Sequence, residues 1–461
     1  MDLAFIEKLE NIVNPQRLFF GDSINEDYSH DEMVSIRSLP DVLVFVENKQ
    51  EIIDTVLLCN EYLIPIVVRG SGTGLSGAAV ASGGVMIDTT KMNRILEIDQ
   101  DNLSVKVEPG VLLLELNEYL TQFNLFYPPD PGEKTATIAG NISTNAGGMR
   151  AVKYGVTRDY VRELEVVTGS GEYMVLGGKI VKNSSGYALK DLIVGSEGTL
   201  AIILSATLKL LPMPNVIVSL LIPYEDIQSA IETVPKLMRL PSIPTAVEFF
   251  ERVVIVFSED YLGKKFPDNT SKAYLLLTYD GNSESDVEYQ CNEAAEVCLS
   301  NGARDVYIVD TPERRDSVWN ARGAFLEAIK ASAGEVDECD VVVPRAYVAD
   351  FIMYSHQVEK EVDVRISSFG HAGDGNLHIY VCKDSLSEEE FLKKRDKAFE
   401  LLFEKAKEYG GLVSGEHGIG LAKKEYLKKS VSESVIQIMR GIKKVFDPNC
   451  ILNPGKVFDM K

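Results

Sequence analysis

Five histidines are spread over the 461 residues, and three of them sit among glycines. In the run HAGDGNLH at 371–378, a Gly-Asp-Gly turn separates two strand-like stretches, and a hairpin there brings the imidazoles of His371 and His378 to one side. The run SGEHGIG at 414–420 is a second glycine-rich loop, carrying Glu416 and His417. Two imidazoles and a carboxylate form a donor set for a divalent cation and leave positions open for substrate oxygens. Arg322, in SVWNARGAF, is a candidate carboxylate clamp, because a guanidinium forks onto a carboxylate with two hydrogen bonds. The plainer alternative for Arg322 is a surface salt bridge. Asn376 is a candidate hydrogen-bonding partner for a substrate. His30, in an acidic polar run, and His356, in a helical pattern, read as structural.

A different chemistry is written at 69–77, RGSGTGLSG. Its Gly72-x-Gly74-x-x-Gly77 spacing invites a dinucleotide reading. That fingerprint requires a helix directly after the glycines, and AAVASGGVMIDTT follows instead. The glycines still let successive backbone N–H groups surround a diphosphate, with Ser71, Thr73 and Ser76 adding hydroxyls. A second stretch, 128–155, is long and rich in Pro, Gly, Thr and Asn, and loops of that length are usually functional. A third, SGYALKDLIVGSEGTLAII at 185–203, ends in a glycine turn running into a strand.

The elements that must hold these segments follow from periodicity. DVLVFVE, EIIDTVLLCNEY and IPIVV read as strand, helix and strand, one βαβ unit that ends at the glycine loop. Strand-like GGVMIDTT, RILEID and LSVKVEPG follow, then a helix LLLELNEYLTQF and a loop over 127–150. Beyond Pro212 and Pro214, short strands alternate with helices, which predicts an α+β domain with an antiparallel sheet. The expected division is 1–212 (core about 37–212), 213–410 and a C-terminal segment 411–461.

Bulk properties exclude some partners. The net charge of −22 repels phosphate backbones, so nucleic acid is not an expected partner. No apolar run reaches the roughly 18 residues of a membrane span. The start, MDLAFIEKLENIV, reads as an acidic amphipathic helix and not a signal peptide. Six scattered cysteines without a CxxC pair fit reduced thiols, and the expected location is cytoplasmic.

The three glycine-rich segments resemble, in order and wording, the FAD-binding domain of the vanillyl-alcohol oxidase/p-cresol methylhydroxylase superfamily. The resemblance implies a two-part FAD-binding domain with an α+β substrate (cap) domain. It implies that Gly70, Ser71, Gly72, Thr73, Gly74, Leu75, Ser76 and Gly77 hold the diphosphate. Asp130, Gly132, Thr135, Thr137, Asn141, Thr144, Gly147, Gly148 and Gly155 would surround the ring system, and Glu197, Gly198 and Ile203 would approach the adenosine half. Some members tether the flavin through His or Cys; none lies between Cys59 and Cys291, so non-covalent FAD is expected.

GHAGDGNLH and SGEHGIG together are similar to the D-2-hydroxyacid dehydrogenases of the same superfamily, which oxidise D-lactate, D-2-hydroxyglutarate or glycolate. That likeness implies His371, His378 and Glu416 as ligands of a divalent metal (Zn, Fe or Mn), with His417 as base. Relatives that handle dicarboxylates carry a lysine shortly before the strand matching DVVVP; GEVDECD has none, which favours a monocarboxylate such as D-lactate. The C-terminal ILNPGKVF matches a family segment that folds back beside the flavin. The expected reaction moves a hydride to flavin N5 and the hydroxyl proton to His417, with Arg322 anchoring the carboxylate. The sequence shows no iron–sulfur motif and no NAD site, so reduced FAD would pass its electrons to oxygen, a quinone or another protein; the likeness to the D-2-hydroxyacid dehydrogenases implies an electron-transferring flavoprotein, with a free-standing enzyme or homodimer as the alternative. Other readings are a glycolate or D-2-hydroxyglutarate dehydrogenase, and a non-catalytic flavoprotein subunit of a larger complex.

Overall fold

Asn48 starts the helix Lys49–Tyr62 by accepting from Glu51 N at 3.1 Å, and Leu63 ends it in the left-handed region at φ 54°. In this computed structural model, which describes residues 2–33 and 35–460, the helix buries Ile52, Thr55, Val56, Leu58 and Cys59. Four strands, β1 (Leu18–Phe20), β2 (Val42–Phe45), β3 (Ile66–Arg69) and β4 (Val85–Asp88), form a sheet in the order β1-β2-β4-β3. The two strands flanking the helix do not pair with each other. β4 lies between them and pairs with both in parallel, Met86 opposite Leu43 on one side and Val67 on the other. Val85, Met86 and Ile87 are fully buried, as a parallel strand covered on both faces requires.

The chain divides into two compact units. The first comprises Met1–Gly147, Val156–Met213 and Glu416–Lys461, and the second Gly148–Gly155 and Pro214–Gly415. Within the first unit, β5 (Ile95–Asp99), β6 (Ser104–Val107), β8 (Val161–Thr168), β9 (Tyr173–Gly177) and β10 (Ala201–Lys209) make an antiparallel sheet ordered β5-β6-β10-β8-β9. The short β7 (Leu125–Phe126) pairs with β11 (Leu211–Pro212). The stretch 127–150, which composition reads as loop, contains the helix Ile138–Thr144. Thr137 caps it by accepting from Gly140 N at 3.2 Å, and Asn145 closes it at φ 53°. Gly140 and Thr144 hide the helical propensity, while the Thr137 cap supplies the start. The C-terminal segment returns to β3: Ile66 N donates to Ile451 O, and Asn453 N to Ile66 O, both at 2.7 Å.

The second unit is built on seven strands: β12 (Val216–Tyr224), β13 (Ala246–Glu251), β14 (Ala273–Gly281), β15 (Tyr307–Val309), β16 (Val336–Val342), β17 (Ile366–His371) and β18 (Asn376–Cys382). Their order is β15-β12-β14-β13-β17-β18-β16, and every pair is antiparallel. This is the α+β arrangement that the alternating signals predict. β13, by contrast, carries no alternation, because all six residues of AVEFFE are buried. Phe250 on it is ringed by Phe266, Tyr274 and Phe325 at centroid distances of 6.2, 5.7 and 5.1 Å. Truncating such a side chain to alanine costs about 3–5 kcal/mol. No helix among the described residues is long and apolar enough to cross a membrane.

Candidate functional site

In the second unit the two imidazoles meet through the β17–β18 hairpin. His371 ends β17 opposite Asn376, and His378 on β18 stands opposite Phe369. The ring centroids of His371 and His378 lie 5.3 Å apart at 88°. The turn between them depends on Gly375: its φ is +89°, and a Cβ there would sit 2.0 Å from Val343 O.

Each imidazole is oriented by a carboxylate from a neighbouring strand. His371 Nδ1 lies 2.6 Å from Glu248 Oε1, and β13 places Glu248 directly opposite His371. His378 Nδ1 lies 2.8 Å from Glu338 Oε1 on β16, which also accepts from the Tyr380 hydroxyl at 3.0 Å. A neutral ring that donates from Nδ1 carries its lone pair on Nε2, the arrangement in which a histidine binds a metal.

Arg322, on the helix Pro312–Gly323, is joined to the same cluster. Its Nε donates to Glu248 Oε2 at 2.7 Å, its Nη2 lies 2.6 Å from the same oxygen as an ion pair, and its guanidinium lies 4.6 Å over the Phe369 ring. Among the described residues, Nη1 donates to nothing. Burial pushes the Glu248 carboxyl up, but its contacts with His371 and Arg322 outweigh it and hold the group below its ordinary value.

Asn376 begins β18, its side chain is buried, and its Oδ1 has no partner among the described residues. A Cβ at Gly415 would fall 2.2 Å from that oxygen, so the glycine makes room for the amide. Asp340, fully buried on β16, accepts from Ser414 Oγ at 2.8 Å and from Gly415 N at 3.1 Å. Gly148 and Gly155, at φ +122° and +84°, also belong to this unit.

In the first unit, the 70–77 loop leaves the end of β3 and is tied to the other glycine-rich segments. Ser71 Oγ donates to Thr135 O at 2.7 Å, and Ser76 O accepts from Leu421 N and Ala422 N. Gly70 packs against Thr137: a Cβ there would lie 2.2 Å from Thr137 Oγ1. Glu416 and His417 belong to this unit, and Gly147 leaves space for the Glu416 side chain, whose Oε2 would be 2.8 Å from a Cβ. The Glu197 carboxylate accepts from Ile419 N and Gly420 N, each at 2.7 Å, and so holds the loop after His417. Burial raises its pKa even against those two donors.

Other candidates occupy plainer surroundings. Asp130 pairs with Lys134, and Thr135 Oγ1 donates to Glu133 at 2.6 Å. Thr144 Oγ1 donates to Gly140 O, Ile203 is buried in β10, and Gly198 takes φ +69°. A Cβ at Gly132 would meet nothing within 4 Å. Asn141 is buried, and its Nδ2 has no partner among the described residues. His356 forms ion pairs with Glu251 and Glu359, which raise its pKa to about 10. Sequence reasoning missed Glu248 and Glu338. The one signal for Glu248 was an acidic residue flanked by the apolar Val247 and Phe249.

Comparison with known proteins adds the family. Residues 213–457 match the family model described as FAD linked oxidases, C-terminal domain, and residues 40–187 match that of the FAD binding domain. The chain is 50% identical over 459 residues to a D-lactate dehydrogenase of Anaerostipes hadrus, covering 98% of this chain and 96% of that one. It is 38% identical over 454 residues to the glycolate oxidase subunit GlcD of Bacillus subtilis, covering 98% and 96%. In fold it is similar to p-cresol methylhydroxylase with substrate bound, with TM-score 0.83, 18% identity and coverage of 99% and 97%.

Proposed function

The chain belongs to the FAD-linked oxidase family, and from that premise we propose that it dehydrogenates a D-2-hydroxy acid, D-lactate first, to the 2-keto acid. The observation that carries this reading is the 50% identity, over 459 residues, with a D-lactate dehydrogenase. Glycolate is the second substrate to consider, because of the likeness to a glycolate oxidase subunit. The lysine-free GEVDECD weighs against a dicarboxylate.

Two features support a flavin on the first unit, and the stretch between Cys59 and Cys291 without His or Cys supports its being non-covalent. One is the set of glycines whose Cβ positions are already occupied, and the other is the buried, partnerless Nδ2 of Asn141, a donor suited to a flavin acceptor atom. When bound, FAD accepts the hydride equivalent released from the substrate carbon. For the metal, the ligand set we assign is His371, His378 and Glu416. Its support is the donor chemistry and the carboxylate behind each imidazole. A divalent cation held by these residues would lower the pKa of the substrate hydroxyl.

The remaining roles belong to side chains. Arg322 donates from Nη1 to the substrate carboxylate while Glu248 holds its other edge. Asn376 hydrogen-bonds the substrate through its buried amide, and His417 takes the hydroxyl proton. Electrons then leave to a partner of the electron-transferring flavoprotein type.

The test is anaerobic reduction followed by reoxidation. D-lactate should bleach the flavin faster than L-lactate or D-2-hydroxyglutarate, and the reduced protein should be reoxidised faster by an electron-transferring flavoprotein than by air. Faster bleaching by D-2-hydroxyglutarate would overturn the monocarboxylate choice. Fast peroxide formation without transfer would overturn the partner.

A further inference from the structure

We infer that Glu248 is a positioning residue with two clients, one per carboxylate oxygen, and that through it cation binding at His371 and carboxylate binding at Arg322 depend on each other. The inference rests on the functional reading above for what His371 and Arg322 bind; the arrangement that joins them lies within the second unit.

Glu248 is fully buried, in the middle of an apolar strand. A lone carboxylate in that position costs several kcal/mol, and only well-made partners offset it. It has two. Oε1 faces His371 Nδ1 at 2.6 Å, and Oε2 accepts from Arg322 Nε at 2.7 Å with Arg322 Nη2 in ion-pair contact at 2.6 Å. The strand register leaves little freedom: β13 pairs Glu248 with His371, and Phe369, two residues earlier on β17, lies under the guanidinium. Arg322 is thus fixed on one edge by the carboxylate and on one face by the ring, and presents its Nη1 edge. His371 is fixed in the tautomer that places its lone pair on Nε2.

Both clients therefore take their orientation from a single group. A carboxylate that moves toward one partner moves away from the other, and any change at Arg322 reaches His371 without touching it. The two oxygens also define what Glu248 cannot be replaced by. A carboxamide offers one acceptor and one donor, so no orientation of a glutamine satisfies both His371 and Arg322. An ordinary structural ion pair would survive as half a pair; this arrangement loses one client outright.

The experiment uses the FAD-loaded full-length protein and Zn²⁺ or Mn²⁺ as the probe, with cation affinity measured by competition against a chelating dye. Glu248→Gln should weaken cation binding by about 10–100-fold, the usual loss when a residue behind a metal ligand is removed, and should also raise KM for D-lactate. Arg322→Lys keeps the charge but loses the fork, and lies outside the proposed ligand set. It should weaken cation binding by roughly threefold to tenfold, as expected of residues coupled through a shared partner. This second variant stands if Glu248→Gln does not fold. FAD content reports integrity in each case. Wild-type protein that binds the cation, with unchanged affinity in the folded variants, overturns the inference alone. Wild-type protein that takes up no cation overturns the ligand assignment and the inference with it.

Discussion

The two units present their candidate chemistry in different materials. In the first, the 70–77, 128–147 and 416–420 segments meet mostly through backbone, and glycines bring them together. In the second, charged side chains do the work, and each imidazole leans on a carboxylate from a neighbouring strand. A backbone cradle fails when a methyl group is added, whereas a side-chain cluster fails when a charge is removed. The two regions should therefore respond to opposite kinds of substitution.

The largest effect is expected in the cradle. Gly420 has φ +50°, and a Cβ on it would sit 2.1 Å from Ser76 O, a backbone atom that cannot swing away. Gly420→Ala must strain the turn and push the 70–77 segment aside. The flavin-to-protein ratio should fall at least about tenfold. Gly132→Ala is the control within the same unit, because its Cβ would meet no protein atom within 4 Å. If Gly132→Ala retains flavin while Gly420→Ala loses it, protein packing alone shapes the cradle. Loss in both would mean that the flavin occupies the space beside Gly132. A Gly420→Ala protein that keeps its flavin would break the comparison.

A smaller effect sharpens the comparison inside the second unit. Glu338 holds His378 and Tyr380 through the same oxygen, Oε1, whereas Glu248 divides its partners between both oxygens. The carboxamide oxygen in Glu338→Gln can still accept from both the His378 Nδ1–H and the Tyr380 hydroxyl. Its cation affinity should drop less than that of Glu248→Gln by about an order of magnitude, judged against the usual loss behind a metal ligand. Equal losses in the two variants would mean that negative charge matters here, and the division of oxygens does not.

What could be read in advance follows from where the information lies. Glycine spacing and the HAGDGNLH run are local, and they mark the stretches where the structure has positive-φ glycines and two imidazoles 5.3 Å apart. The α+β class was legible because strand and helix periods alternate after residue 212. Glu248 was not legible. It reaches His371 across 123 residues of sequence, from a strand whose six residues are all buried and so show no period of two. The helix Ile138–Thr144 was hidden by its own glycine, asparagine and threonine. The insertion of β4 between β2 and β3 is a tertiary choice that no local pattern encodes.

The smallest expected effects are thermodynamic, and they place the two units at opposite ends of the pH scale. In the first unit, burial pushes Glu165 up, but Lys106, Tyr173 and Lys49 outweigh it and hold its carboxyl down at about 2. A depressed folded pKa stabilises above the unfolded value near 4.5, and that contribution is lost as pH falls from there toward about 2. In the second unit, hydrogen bonds that His356 donates to Glu251 and Glu359 lift its pKa to about 10. A raised folded pKa stabilises fully below the unfolded value of 6.5, and the contribution fades as pH rises through about 10. Both residues lie outside the proposed ligand and substrate contacts, so stability can be read without confusing it with activity. The Tm gap between wild type and Glu165→Gln should be flat at neutral pH and close on the acid side. The gap for His356→Gln should be widest below pH 6.5 and close on the alkaline side. Gaps that close on the same side, or that do not change with pH, would show that these ion pairs do not set the pH limits of the two units.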